Sequence, residues 1–452
     1  MLQPLPTQLS GARFLAARPA ALLADLPRVG KTGASIIGAD YILAEHILVV
    51  TTASGRGVWK AGFRQWSAFD RQIKVIAGTE PPADLSGCVI VGWGSVSSAR
   101  LRAKLLKCRW DLIILDEAHA AKSFSAKRTE AVYGSLIDGG ARVFRGSALT
   151  DKAGVVWFLT GTPIPHAPND LYPMLRTHFE DVLRANKDRG WPDVLQEDEF
   201  LHRYCVVRYK KISSFRKIPV VVNGRNLPEL RERIRGIGLQ RTQADIGILS
   251  PVYETLPLIV SEKMIKQADG DLDRQAVIEA AKAGDTKKLD MHLGPLRRLT
   301  GTIKAAAVAD VVAEELHEGL DKIVLAYWHR DVGQYLADNL GSFGVARIDG
   351  STGDRTRAAE TERFRNDPKC RVFLAQIVAA GEAIDLSAAS QMIFVETSFT
   401  PKDMLQMSLR TTNINQKAQP VVRVACLEGS IDEALQQILL RKWTTIREVM
   451  KK

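Results

Sequence analysis

Residues 24–35, ADLPRVGKTGAS, end as a phosphate-binding loop and begin as something else. Gly30, Lys31 and Thr32 form the tail of the pattern G-x-x-x-x-G-K-[ST]. The first glycine of that pattern would stand where this chain has Asp25, and Pro27 and Arg28 lie inside the loop. In a loop of this kind backbone N–H groups face phosphate oxygens. The lysine reaches the outer phosphates, and the Ser or Thr hydroxyl ligates magnesium. The stretch predicts a strand–loop–helix passage in an α/β sheet, with Gly30, Lys31 and Thr32 on a nucleotide and Thr32 on the metal.

Two later segments carry compatible chemistry. DLIILDEAH, residues 111–119, is an apolar strand that delivers Asp116 and Glu117 to its C-terminal end, where ligands bind in open α/β sheets. Asp116 there suits a magnesium ion, and Glu117 suits polarisation of an attacking water. VVWFLTGTPIP, residues 155–165, ends another apolar strand in Thr160, Gly161 and Thr162. Small hydroxyl residues at such a strand end suit coupling of the site to its surroundings. Three strand ends with matching chemistry point to an ATP and Mg2+ site.

Outward from these segments, short apolar runs alternate with helical stretches. HILVVTT (46–52) and CVIVGW (88–93) belong to a first set; KIVLAYW (322–328), RVFLAQ (371–376), QMIFVE (391–396) and PVVRVACLE (420–428) belong to a second. Fully apolar strands between helices indicate parallel sheets covered on both faces. The expected fold is α/β, with two parallel-sheet domains in tandem, and the family resemblance given below implies that both are RecA-like. Residues 1–180 form the first, 181–295 a mostly helical insertion and linker, and 296–452 the second. A chain of 452 residues, 46% hydrophobic and 25% charged, suits such an arrangement.

The net charge of +11 makes a polyanion a reasonable partner. The five cysteines form no C-x-x-C pair, so neither a zinc site nor a disulfide framework is expected, and a cytoplasmic location is. Charged residues interrupt the N-terminal apolar stretch, and no run reaches the roughly 18 apolar residues a membrane span needs. No signal peptide or membrane partner is expected.

The motifs together resemble the Swi/Snf-like DNA translocases of helicase superfamily two, a DEAH-box group, over nearly the whole chain. PTQLSGARFL resembles the adenine-recognising motif and assigns Gln8 to the base. ILVVTTASGRGVWKAGFRQW, with Trp59 and Trp66, and VGWGSV resemble the next two motifs. The family loop reads D-x-M-G-L-G-K-T, so Pro27 and Arg28 are departures from it. LRRLTGTIKAAAV, ARIDGSTGDRTR, FLAQIVAAGEAIDL and TPKDMLQMSLR follow in the order of the family's second domain. RRLTGTIK and RIDGST are nearest the annealing and fork-remodelling branch, and the compact chain resembles a bacterial or phage type.

The resemblance implies an ATP-dependent motor that translocates on or remodels duplex DNA, with ATP hydrolysed between the two domains. A monomer suffices for that. Lys31, Asp116, Glu117 and Arg410 are implied as catalytic, and Asp385 as a ribose contact. Thr52, Ser54, Trp93 and Ser95 in the first domain, with Ser351, Thr352 and Gln376 in the second, are implied on the DNA backbone. His119, Thr160, Gly161 and Thr162 are implied in coupling, and Arg357 matches a family arginine. Two departures bear on turnover, and three readings of the first stay open: Arg410 works alone, another basic residue such as Arg28 substitutes, or hydrolysis is feeble. Asn413 stands where the family has its second arginine after Gln406 and Arg410, and Ala383 replaces a glycine beside Glu382. A strand-separating helicase and a weakly hydrolysing nucleotide-dependent DNA clamp stay open as alternatives. RYKKISSFRKIP (208–219) suits either a nucleic-acid grip or a solvated hairpin edge.

Overall fold

The computed structural model describes residues 3–53, 55–136, 142–143, 148–161, 167–211, 217–269, 279, 286–380, 384–398, 401–413, 416–430 and 432–433. Apolar β-branched runs become strands and the intervening amphipathic stretches become helices, in two units that divide between Ile246 and Gly247. Each unit is a RecA-like parallel sheet with helices on both faces.

The first sheet contains β1 (Ala20–Leu23), β2 (Ile47–Thr51), β3 (Ile73–Ile76), β4 (Cys88–Gly92), β5 (Trp110–Asp116), β6 (Ala153–Leu159) and the two-residue β9 (Gly238–Leu239). Their order is β9-β1-β6-β5-β2-β4-β3, and every pairing is parallel. Alternate residues feed opposite cores, as the two-residue period of a strand requires. Ala21, Leu23, Ile47 and Val49 pack with Leu15, Ile36, Trp59 and Phe63 from helices α1 (Pro6–Ala16), α2 (Lys31–Tyr41) and α3 (Gly55–Trp66). Leu22, Leu48, Val50 and Phe158 pack on the other side with Trp93, Tyr133 and Leu175.

The stretch 181–295, read from sequence as mostly helical, is distributed between both units. Residues Cys205–Lys211 (β7) and Lys217–Gly224 (β8) form an antiparallel hairpin, with residues 212–216 of the basic segment outside the described residues. β9 lies against β1 as an edge of the first sheet. Val252–Leu258 is strand β10, an edge of the second sheet. Its β-branched and aromatic Val252, Tyr253 and Thr255 suit a pleated edge, which explains why a helix does not form there.

The second sheet adds β11 (Ile323–Tyr327), β12 (Val345–Ile348), β13 (Val372–Gln376), β14 (Gln391–Phe394) and β15 (Val421–Leu427), in the order β10-β15-β14-β11-β13-β12. It too is parallel throughout. Ile323, Leu325 and Tyr327 face a core with residues of α4 (Thr286–His317) and α5 (Arg330–Leu340). Val324 and Ala326 face the other, with Phe364 of α6 (Asp354–Asn366). Among the described residues no helix is long and apolar enough to cross a membrane.

Candidate functional site

In the first unit the carboxyl ends of β1, β6, β5 and β2 bring the sequence motifs together. Residues 24–30 connect β1 to α2, and Gly30 caps α2 at φ +97°, a left-handed value that favours glycine. A Cβ at Gly30 would lie 2.8 Å from Nε2 of Gln8, so the buried glutamine amide lies directly on the loop. Gln8 Oε1 accepts from Leu5 N at 2.9 Å, which fixes the amide. Lys31 Nζ donates to the carbonyls of Asp25, at 2.6 Å, and Leu26. Arg28, in place of the family glycine, takes φ +73°. That conformation costs an arginine about 1–3 kcal/mol.

Asp116 ends β5 and is held at two points. Thr51 Oγ1 donates to its Oδ2 at 2.7 Å, and Trp59 Nε1 donates to the same oxygen at 2.9 Å. Burial pushes this carboxyl well above the ordinary carboxylate range, and the neighbouring Glu117 charge adds to the effect; the hydrogen bonds from Thr51 and Trp59 and the Lys31 charge oppose it. Glu117 follows in left-handed backbone, φ +52°, and its N–H donates to Asp116 Oδ1 at 3.1 Å. Its Oε2 lies 3.2 Å from His119 Nδ1, and that nitrogen is 2.8 Å from Thr160 Oγ1. Asp116, Glu117, His119 and Thr160 are therefore contiguous. Gly161 lies against the loop, since a Cβ there would meet Pro27 Cδ at 2.8 Å. Thr162 falls outside the described residues.

The nucleic-acid candidates divide. Thr52 is half-buried and its Oγ1 accepts from Gly55 N at 3.1 Å. Ser95 is buried, and Ser54 lies outside the described residues. Trp93 is turned into the core. It is 5% exposed, and its indole N–H donates to the Asp116 carbonyl at 2.8 Å. The strand end that carries it turns inward because the ring completes the core on one face of the sheet.

In the second unit Ser351, Thr352 and Gln376 converge. Gln376 Nε2 donates to the Trp328 carbonyl at 2.9 Å, and its Oε1 accepts from Gly350 N at 2.8 Å. Asp349 ties the next turn: Ser351 N and Oγ donate to its Oδ1, and its own N–H donates to Thr352 Oγ1 at 2.9 Å. The Ser351 hydroxyl is the main reason the Asp349 carboxyl lies below its ordinary range. Arg357 closes the turn by donating to the carbonyls of Ala379 and, at 3.5 Å, Thr352.

Asn413 is engaged with the ribose candidate. Its Nδ2 donates to Asp385 Oδ2 at 3.3 Å and to Ser387 Oγ at 3.2 Å, and Gln416 donates to the Ser387 carbonyl at 3.0 Å. Arg410 follows Leu409 in a short 3-10 turn whose carbonyl at Arg410 accepts from Leu386 N. Glu382 and Ala383 lie outside the described residues.

Sequence reasoning missed Thr51 and Arg241. Thr51 sits in the quoted run HILVVTT, and its place at a strand end was a usable signal. Arg241 pairs with Asp25 across 216 residues of chain, a separation no motif bridges.

Asp116 and Thr32 are the candidate donors for a magnesium ion. Among the described residues no group of three or more His, Cys, Asp or Glu is arranged to hold a metal unaided. One carboxylate and one hydroxyl beside a phosphate loop suit magnesium, which keeps waters and takes substrate phosphates as ligands.

Residues 304–415 match the model of the helicase conserved C-terminal domain. The chain is 26% identical, over 98% of its length, to the Caenorhabditis elegans SWI/SNF-related matrix-associated actin-dependent regulator of chromatin subfamily A-like protein 1 homolog. It is 23% identical, over 97% of its length, to the DNA annealing helicase and endonuclease ZRANB3 of Mus musculus. The chain spans 61% of the first relative and 40% of the second. The Sulfolobus solfataricus SWI2/SNF2 ATPase core, solved in complex with dsDNA, is 17% identical with a TM-score of 0.45, covering 99% of this chain and 93% of that one.

Proposed function

This chain belongs to the Swi/Snf-like family of helicase superfamily two, and we propose that it is an ATP-dependent motor that moves along or remodels duplex DNA. The observation that carries the reading is that the Gly30-Lys31-Thr32 loop, with Gln8 against it, and the linked Asp116, Glu117, His119 and Thr160 stand at the carboxyl ends of the neighbouring strands β1, β5 and β6. In this reading Gln8 takes the base, and the loop amides with Lys31 take the phosphates. Thr32 and Asp116 would hold Mg2+, which would supply charge neutralisation to the transferring phosphoryl. Glu117 orients and polarises the attacking water.

Arg410 is the second unit's candidate for the positive charge that phosphoryl transfer requires. Asp385 is assigned to the ribose. Thr52, Ser351, Thr352 and Gln376 are assigned to DNA phosphates, where contacts position the motor without reading sequence. Relatives named as a DNA annealing helicase and as a regulator of chromatin support DNA as the partner. Asn413 favours one second reading, a weakly hydrolysing clamp, because an amide bonded to Asp385 carries no charge to the reaction.

Steady-state ATPase rates without nucleic acid and with duplex DNA, single-stranded DNA or RNA test both. The motor predicts strong stimulation by duplex, loss of turnover in Lys31→Ala, and retained ATP binding without hydrolysis in Glu117→Gln. A flat, low rate under every condition favours the clamp. Full ATPase activity in Lys31→Ala overturns the site.

A further inference from the structure

Asp25 is fully buried although it carries a carboxylate, and it stands in the loop where the general phosphate-loop pattern has glycine. Its partner is Arg241, 6% exposed, which binds it with both arms of the guanidinium fork: Nε on Oδ1 at 3.0 Å and the second terminal nitrogen on Oδ2. The remaining terminal nitrogen reaches α1, donating to the Thr7 carbonyl and to Ser10 Oγ at 2.9 Å. Thr7 and Ser10 flank the base candidate Gln8. One guanidinium therefore ties the phosphate loop to the base-recognising helix.

The surroundings are built for it. A Cβ on Gly11 of α1 would lie 2.5 Å from an Arg241 terminal nitrogen, so only glycine leaves room there for the fork. The backbone around Arg241 continues the pairing of β9 with β1 into the loop. Ala24 N donates to the Leu239 carbonyl at 2.7 Å, and Leu26 N to the Arg241 carbonyl at 2.9 Å. Buried Gln243 then donates from Nε2 to the Pro27 carbonyl at 3.0 Å. Residues 239–243 thus hold successive residues of a loop that has an arginine in place of the family glycine and a proline beside it.

We propose that Arg241 is a positioning residue for nucleotide binding: with Gln243 it holds the Asp25–Pro27 half of the loop and α1 in one register, so that Lys31, Gly30 and Gln8 address a single ligand. This rests on the ATP site proposed above. A planar fork suits the task better than a lysine, because it fixes two carboxylate oxygens and a third partner in one plane. Its partners are the Asp25 carboxylate, the Ser10 hydroxyl and the Thr7 carbonyl, so it acts through other residues and not on the phosphates.

The test uses the full chain and a fluorescent ATP analogue. Wild type and Lys31→Ala come first. Equal binding by both would mean that the ATP site itself is misassigned, independently of Arg241. Given wild-type binding that Lys31→Ala loses, the double variant Asp25→Leu/Arg241→Met is measured next. Replacing both members of a buried pair leaves no orphaned charge, so its unfolding midpoint should stay near wild type.

Its affinity for the analogue is expected to fall by about tenfold to a hundredfold, the scale of a small misplacement in a binding site. KM for ATP should rise more than kcat falls. Unchanged affinity in a folded double variant overturns the proposal. Arg241→Lys keeps the charge without the fork and decides the matter should the double variant fail to fold. Weakened analogue binding supports positioning, and wild-type binding overturns it.

Discussion

Nδ1 of His119 lies 2.8 Å from Thr160 Oγ1, joining the end of β6 to the turn after β5. The same nitrogen is 3.2 Å from Glu117 Oε2, so Thr160 and the proposed water-polarising carboxylate share one imidazole. A displacement of either strand end would be felt at Glu117 through a single ring. His119→Ala and Thr160→Val should each lower kcat by about tenfold to a hundredfold, as expected when a reacting group loses its orientation. ATP affinity should remain close to wild type, because neither residue lies in the phosphate loop. Rapid-quench turnover beside equilibrium ATP binding separates the two effects. A raised KM with unchanged kcat would count against the arrangement.

The Asp116 carboxyl predicts a trade between stability and function. Its folded-state pKa is raised, chiefly by burial and next by Glu117. A carboxyl of that kind holds its proton more readily when folded than when unfolded. Stability therefore falls as pH rises from the ordinary carboxylate range toward the raised value, and the loss persists at neutral pH. Asp116→Asn cannot ionise. In metal-free buffer at pH 7 it should be more stable than wild type by about 1 kcal/mol or more, since each pKa unit is worth about 1.4 kcal/mol. It should also lack ATPase activity. Urea unfolding at pH 7 and again near pH 3.5 checks the sign, because the advantage should shrink at the lower pH.

Strand ends made much of this chain legible. Asp116, Glu117 and Thr160 could be placed because apolar runs of parallel strands stop sharply, and ligands gather where they stop. The sequence could not say which way a strand-end ring turns. The resemblance implies Trp93 on the DNA backbone, and the fold packs its ring into the core on one face of the sheet. Arg241 was invisible for another reason: its meaning lies in Asp25, far away in the chain, and in a glycine on α1. Asn413 was legible as a missing charge, whereas its hydrogen bonds to Asp385 and Ser387 emerge only from the fold.

Those hydrogen bonds set the outcome of restoring the family arginine. In Asn413→Arg the new guanidinium would start beside the Asp385 carboxylate, and a charge-assisted pair with it is favoured over an exposed or mobile position. Turnover of the single variant should therefore change little. Adding Asp385→Asn removes the competing carboxylate and should raise kcat above that of Asn413→Arg alone. The comparison is made at saturating ATP, so that a weaker ribose contact does not mask the gain. A large rise in the single variant would mean that Asp385 does not capture the arginine.

Arg28 combines strain with charge at one loop position. Its φ of +73° costs an arginine about 1–3 kcal/mol, and glycine adopts the same backbone without that penalty. Glycine also loses more chain entropy on folding, about 0.5–1 kcal/mol, so the two effects oppose each other. Arg28→Gly should emerge more stable than wild type by about 1 kcal/mol, the balance of these terms. The same change removes a positive charge from a loop proposed to receive a polyanion, which should raise KM for ATP. A strained residue kept at the expense of stability is what a functional site predicts. Thermal unfolding and ATPase titrations on one preparation read both quantities. A variant that gains stability and keeps the wild-type KM would show that the arginine contributes nothing to nucleotide binding.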